Sequence, residues 1–158
     1  MIKLMPHLEE DIPLRVQWLN NEKYSHFVVD KPNRKTTIQD QKQWFAKYKK
    51  DSKKIFFTIC DDSVAIGLVG LSNIDKKHGQ ADLFIMIGDD RYRGRGIGKI
   101  VMEQIIDYAF NKLNLSQINA EVKNNNIPAL SLNKSYGFQL LDGVDDRYPD
   151  EIRMVLRK

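Results

Sequence analysis

The chain has 158 residues, 42% hydrophobic and 29% charged, with a formal net charge of +4 and one cysteine. That size and balance suit one globular domain with its own core, and the lone Cys60 excludes an internal disulfide or a paired-cysteine metal site. No run approaches the roughly 18 consecutive apolar residues of a membrane span, and IKLMPHLEED after Met1 has no signal-peptide core, so a cytoplasmic protein with residues 1–158 as a single domain is expected.

IKLM predicts a short first strand. LEEDIPLRVQWLNN predicts a helix, with Leu8, Ile12, Val16 and Leu19 near helical spacing and its acidic residues early, as the helix dipole favours. Thr36 or Thr37 can cap a second helix through IQDQKQWFAKYKK, striped by Ile38, Trp44, Phe45 and Tyr48. KIFFTIC, a DDS turn and VAIGLVGLSNI form a hairpin rich in β-branched and aromatic residues, where Cys60 reads as a buried thiol. After DKKHG, QADLFIMIG adds a third antiparallel strand. A glycine–arginine segment follows, then a long helix with Ile97, Ile100, Val101, Ile105, Ile106, Ala109, Phe110 and Leu113 inward. SQINAEV is a strand, and NNNIPALSLNKSYG a short helix with Asn126 as N-cap and Pro128 in its first turn. FQLLDGV and EIRMVLR close as a hairpin. The predicted order is β-α-α-β-β-β-α-β-α-β-β, a mixed α/β chain.

Between Arg91 and Gly98 three arginines alternate with three glycines, just where a helix begins. Glycine inside a helix costs about 1 kcal/mol, so the bare backbone needs a reason. A strand feeding a helix through such a loop presents amides at the positive end of a dipole, which is an anion site. A turn that only tightens packing, with solvated arginines, is the plainer alternative. Gly94, Gly96 and Gly98 give GxGxG, which matches neither GxxxxGK[ST] nor GxGxxG, so both nucleotide-loop readings fail.

Arg93-Gly94-Arg95-Gly96-Ile97-Gly98 resembles the [Q/R]xxGx[G/A] element of the GNAT N-acetyltransferases. EVKNNNIPALSLNKSYGF resembles a second block of that family, with Glu121, Asn126, Ala129 and Gly137-Phe138 in order. WLNN and the helix bearing Trp44 are similar to the branch of ribosomal-protein, spermidine, aminoglycoside and amino-sugar acetyltransferases. The resemblance covers nearly the whole chain. It implies a mostly antiparallel central sheet with helices on both faces, acetyl-CoA as cosubstrate, no metal, and direct transfer of acetyl to a primary amine in a ternary complex.

The same resemblance assigns residues. Met86, Ile87 and Gly88 match the segment that pairs with pantetheine, and Arg93, Gly94, Arg95, Gly96, Ile97, Gly98 and Lys99 match the diphosphate loop. Lys99 is equally a solvated lysine. Asn126 matches a cofactor-contacting Asn, although its N-cap role suffices to explain it. Glu121 matches the general base of some members; Asp82 is the alternative, and an exposed strand carboxylate the plainer reading. The usual thiolate-protonating Tyr is replaced by Asn133, which can still hydrogen-bond the sulfur or the pantetheine arm. Tyr136, one turn on, can substitute or simply pack. His26, Phe27, Trp44 and Tyr48 either line the acceptor pocket or belong to the core. The acceptor is a small-molecule or peptide amine. The basic run lacks the interleaved aromatics of a nucleic-acid surface, no membrane contact is expected, and the last hairpin is compatible with a homodimer. A non-catalytic acyl-CoA-binding or regulatory module is the alternative function.

Overall fold

The computed structural model describes residues 1–28, 34–143 and 145–158. Strand β1 (Ile2–Pro6) leads through a 3-10 turn at Glu9–Asp11 into helix α1 (Ile12–Leu19), a single turn α2 (Ser25–Val28) and helix α3 (Ile38–Tyr48). Thr37 caps α3, its hydroxyl accepting from the Asp40 amide while the Asp40 carboxylate takes the Thr37 amide. Strands β2 (Ile55–Asp61), β3 (Val64–Asp75) and β4 (Gln80–Ile87) form a meander, and α4 (Ile97–Asp107) continues as a π turn through Lys112. Then come β5 (Gln117–Lys123), α5 (Ile127–Ser135), β6 (Gln139–Leu140) and β7 (Glu151–Arg157). This is the predicted order with the single turn α2 added.

Seven strands form one sheet in the order β1-β2-β3-β4-β5-β7-β6. Every neighbouring pair is antiparallel except β4 and β5. The closing hairpin forms as expected, with Leu140 opposite Met154, but β7 lies between β5 and β6. A bulge in β3 flips the side-chain alternation: Ile59 faces Gly67 and Cys60 faces Ala65, leaving Ile66 as an extra residue. Ile66, Val69 and Leu71 consequently pack with the α4 side, whereas Leu68 packs with the α1 side. The Ile66 carbonyl accepts from both the Gly88 and Asp89 amides, at 2.8 and 3.0 Å, which turns the chain out of β4.

Helices cover both faces. Val101, Met102, Ile105 and Ala109 pack on Ile118 and Met154, while Trp18 and Leu19 cover Leu68 and Met86. Among the described residues no helix is long and apolar enough to cross a membrane. Four expected apolar positions differ, the first being Ile38, 47% exposed at the first residue of α3. Ile100 is 43% exposed because the stripe runs 97-101-105 with Met102 as its flank. Leu8 is 49% exposed because it caps the 3-10 turn ahead of α1; Trp18 and Arg15 fill the interior instead. Cys60 is only partly buried, and what burial it has raises its thiol pKa.

Beneath α1 and α3 the buried His7 joins the first strand to the second. Its Nδ1 lies 3.0 Å from the Thr58 hydroxyl, which itself donates to Asp11 at 2.8 Å. Nδ1 therefore carries the proton, and the buried Nε2 has no partner. Burial, then the Arg15 charge, lowers the His7 pKa to about 4 from 6.5. The unfolded chain thus binds this proton more readily than the fold does. Stability is intact above the unfolded pKa of 6.5 and falls as pH drops toward about 4. The loss is on the order of 3 kcal/mol at most. Thermal melts between pH 7 and 4 are expected to show this decline in the parent, and His7→Gln to flatten it.

Candidate active site

Strands β4 and β5 begin side by side and then part. Only Gln80, Ala81 and Asp82 of β4 pair with β5, opposite Gln117, Ile118 and Asn119. Beyond them β4 stays registered on β3 as far as Ile87 opposite Gly67, while β5 stays registered on β7 as far as Lys123 opposite Glu151. Each strand is held by its outer neighbour, so the sheet opens between them. The opening is a cavity of about 490 Å³ walled by Leu83–Ile85, Glu121, Asn126, Asn133 and Glu151. The β5-facing backbone edge of residues 83–87 has no strand partner, a set of polar groups that call for one.

Three carboxylates line this cavity: Asp82, Glu121 and Glu151. Asp82 is held by the side-chain amides of Asn73 and Asn119, at 2.8 and 3.2 Å. Glu151 is held by Lys123 at 3.0 Å, which also reaches Asp150 at 3.4 Å. Among the described residues no amide or cationic side chain bonds Glu121. Glu121 is an exposed strand residue; partial desolvation raises its pKa above the ordinary 4.5, and contact with the Glu151 carboxyl and the negative Asp82 and Asp145 push it the same way. Of the three it is the carboxyl with no cation or amide partner among the described residues, its neighbour being the Glu151 carboxyl. Asn73, Asn119 and Glu151 were not singled out from sequence; the β5–β7 register and the shared face of alternate strand residues are the signals that place them.

At the end of β4 the glycine–arginine segment forms a 3-10 turn (Asp90–Tyr92) and a short loop into α4. Gly94 and Gly96 have φ of +72° and +76°, and a Cβ at either would meet nothing within 4 Å. Gly96 is the N-cap of α4, whose first amides lack carbonyl partners one turn back. Gly98 approaches Leu132, a cavity-lining residue of α5, so the loop sits beside the cavity. The guanidinium groups do not act alike. Arg91 is bidentate to Asp89, and Arg93 reaches Asp90 at 3.3 Å and stacks over Tyr24. Arg95 and Lys99 are exposed and have no carboxylate partner among the described residues. Ile97 is buried in the core.

The other expected residues divide. Asn126 caps α5, its Oδ1 accepting from the Ala129 amide at 3.4 Å, and it also lines the cavity. Asn133 is buried against Met154 Sδ at 3.7 Å and lines the cavity. Tyr136 does not join it. The helix ends at Ser135, so the extrapolated helical face stops short, and the Tyr136 hydroxyl sits 3.0 Å from the Lys99 carbonyl and 2.9 Å from Glu103 on α4. Met86 is buried against Trp18, and a Cβ on Gly88 would lie 2.2 Å from the Trp18 ring, so packing accounts for that glycine. Phe27 lines the cavity, whereas Tyr48 accepts the Phe56 amide and stacks on Trp44, and His26 is exposed beside Phe27. Among the described residues no group of three or more His, Cys, Asp or Glu is placed to hold a metal ion.

The mostly antiparallel sheet with helices on both faces is the architecture that the resemblance implies. The acetyltransferase (GNAT) domain family matches residues 2–139, and the chain belongs to it. It is an acetyltransferase. The acetyltransferase PseH of Campylobacter jejuni is 28% identical over 151 residues, 94% of this chain and 91% of that one. The spermidine N(1)-acetyltransferase of Escherichia coli is 25% identical over 162 residues, 98% of this chain and 85% of that one. Among solved structures, the spermidine N-acetyltransferase of Vibrio cholerae with CoA and spermine superposes with a TM-score of 0.89 at 24% identity, covering 99% of this chain and 95% of that one. Campylobacter jejuni PseH with acetyl coenzyme A gives 0.75 at 24%, covering 100% and 99%.

Proposed function

We propose that residues 1–158 work as one transferase domain that acetylates a primary amine by direct transfer, with Glu121 as the base. The observation that supports this most is the Glu121 carboxyl, with no cation or amide partner among the described residues, in the wall of the β4–β5 opening, beside the open Gly94–Gly96 loop. The chain's features fit acetyl-CoA: bare amides at the α4 start for its diphosphate, an unpaired β4 edge for its pantetheine, and Asn126 and Asn133 alongside. Arg95 and Lys99 are the free cations for its phosphates; Arg93 instead fixes the loop through Asp90 and Tyr24. Bound there, acetyl-CoA supplies a thioester whose C–S bond is exchanged for C–N.

An alkyl ammonium with a pKa of about 10.4 is neutral in only about one molecule in 10³ at pH 7. Glu121 takes that proton on a carboxylate oxygen, and a pKa above the ordinary glutamate range makes it the better base. Asp82, fixed by Asn73 and Asn119, attracts and orients the ammonium before the proton moves. A thiol of pKa about 8.5 departs without a donated proton, so Tyr136 is left to tie α5 to α4. No cysteine lines the cavity, which favours direct transfer over an acetyl-enzyme.

The test is release of free thiol from acetyl-CoA across polyamines, aminoglycosides, amino sugars and peptides. Turnover with at least one class is expected. Silence across the panel with CoA binding intact would make this a binding module. Self-association is proposed as well, in line with the dodecameric spermidine N-acetyltransferase of Vibrio cholerae, and light scattering reads it.

A further inference from the structure

The buried cation of the α1 helix is not used by any chemistry above. Arg15 is 7% exposed, its guanidinium stacked 4.0 Å over Trp44, its Nε donating to the side-chain Oε1 of Gln41. Its Nη1 is buried with no hydrogen-bond partner, and among the described residues no carboxylate pairs with it. Burying a guanidinium without an anion is costly, and neutralisation does not relieve it: burial lowers the pKa only to about 10, so the group stays charged. The side chain lines a second cavity of about 270 Å³, which has aromatic walls in Trp44, Phe56 and Phe84. Lys54 adds a second cation there, and Ser72 and Asn73 add polar atoms. Ser72, Asn73 and Phe84 also line the opening that holds Glu121, so the two cavities adjoin.

We infer that Arg15 and Lys54 form an anion subsite for the acceptor, which is therefore an amine that also carries a phosphate or carboxylate group. This rests on the acetyl-transfer reading of the adjoining opening. The amine end lies among Asp82, Glu121 and Glu151, and the acidic end meets the Arg15 guanidinium where that side chain lines the second cavity. The polarity is opposed from one cavity to the next, anionic at the transfer end and cationic beyond it. A polyamine would bring its distal ammonium against Arg15 and Lys54, so it is disfavoured here, unlike the spermine bound with CoA in the Vibrio cholerae relative.

Two measurements test it. In the first, kcat/KM is compared for ω-aminoalkyl phosphates, ω-amino carboxylates, n-alkylamines and diamines of increasing chain length. At the best length an acidic amine is expected to exceed the n-alkylamine by about tenfold or more, with the diamine below both, since a charge-assisted hydrogen bond favours the acidic amine alone. Whichever acidic series wins separates phosphate from carboxylate. Arg15→Met should collapse that ratio toward one, Arg15→Lys should keep part of it, and Lys54→Gln, at the cavity rim, should reduce it. A ratio near one at every length in the parent, or a ratio untouched by both Arg15→Met and Lys54→Gln, overturns the subsite. The second measurement needs no turnover: inorganic phosphate and acetate are titrated into protein saturated with CoA while tryptophan fluorescence is followed. A saturable change that Arg15→Met abolishes supports the subsite even if every amine is silent, which would instead sink the transfer reading. No change with either anion overturns it.

Discussion

Glu121→Gln is expected to lower kcat by about 10²–10⁴-fold, the range for loss of a general base, while KM for acetyl-CoA stays within about threefold. The carboxyl is placed to accept a proton and the amide is not, yet the two are nearly isosteric, so cavity shape is preserved. Steady-state kinetics at saturating amine separates the two constants. The pH profile carries a second signature. As the proposed base Glu121 is active when ionised, so kcat/KM rises with pH through its pKa, and that limb lies above the ordinary value of 4.5 because partial desolvation and then Glu151 raise it. Glu151→Gln removes the nearest like charge and should move the limb to lower pH. Asp82→Asn, which keeps its bonds to Asn73 and Asn119 only in part, should raise KM for the amine more than it lowers kcat. A Glu121→Gln variant with parental kcat would end the assignment.

What could be read in the chain and what could not follows from the range of the interactions. The glycine–arginine loop is a local pattern, so its glycines and the helix after it were legible without tertiary information. The meander was equally plain, because alternating β-branched and aromatic residues announce half-buried strands. The neutralisation of Arg91 and Arg93 was not legible, although Asp89 and Asp90 stand immediately beside them, because pairing depends on the 3-10 turn that folds the side chains together. Tyr136 was misplaced by extending a helical face one residue past its end. Arg15 was invisible for a different reason: a hydrophobic pattern assigns charges outward, and nothing local says that Trp44 and Phe56, distant in sequence, will cover this one. The bulge at Ile66 likewise leaves no clear trace in an apolar strand, yet it decides which face Leu68 takes.

Gly96→Ala is expected to weaken CoA binding by about 10–100-fold, or roughly 1.4–2.7 kcal/mol. The reasoning turns on two kinds of glycine in one chain. A Cβ at Gly67 would stand 2.3 Å from the Met86 carbonyl oxygen, and at Gly88 2.2 Å from the Trp18 ring, so Gly67→Ala and Gly88→Ala should damage the fold itself. A Cβ at Gly96 meets nothing within 4 Å, so the fold gives no packing reason for glycine there. Its φ of +76° costs an alanine about 1–2 kcal/mol, enough to lower Tm by a few degrees without unfolding the protein. The methyl group would stand over the amides at the start of α4, where the resemblance puts the diphosphate. Titration calorimetry with CoA reads the affinity, and kcat at saturating acetyl-CoA should change little, because on the proposed reading the loop would hold the end of the cosubstrate far from Glu121. Parental CoA affinity in Gly96→Ala, with only the Tm lowered, would show that the open glycine serves the turn and not the cosubstrate.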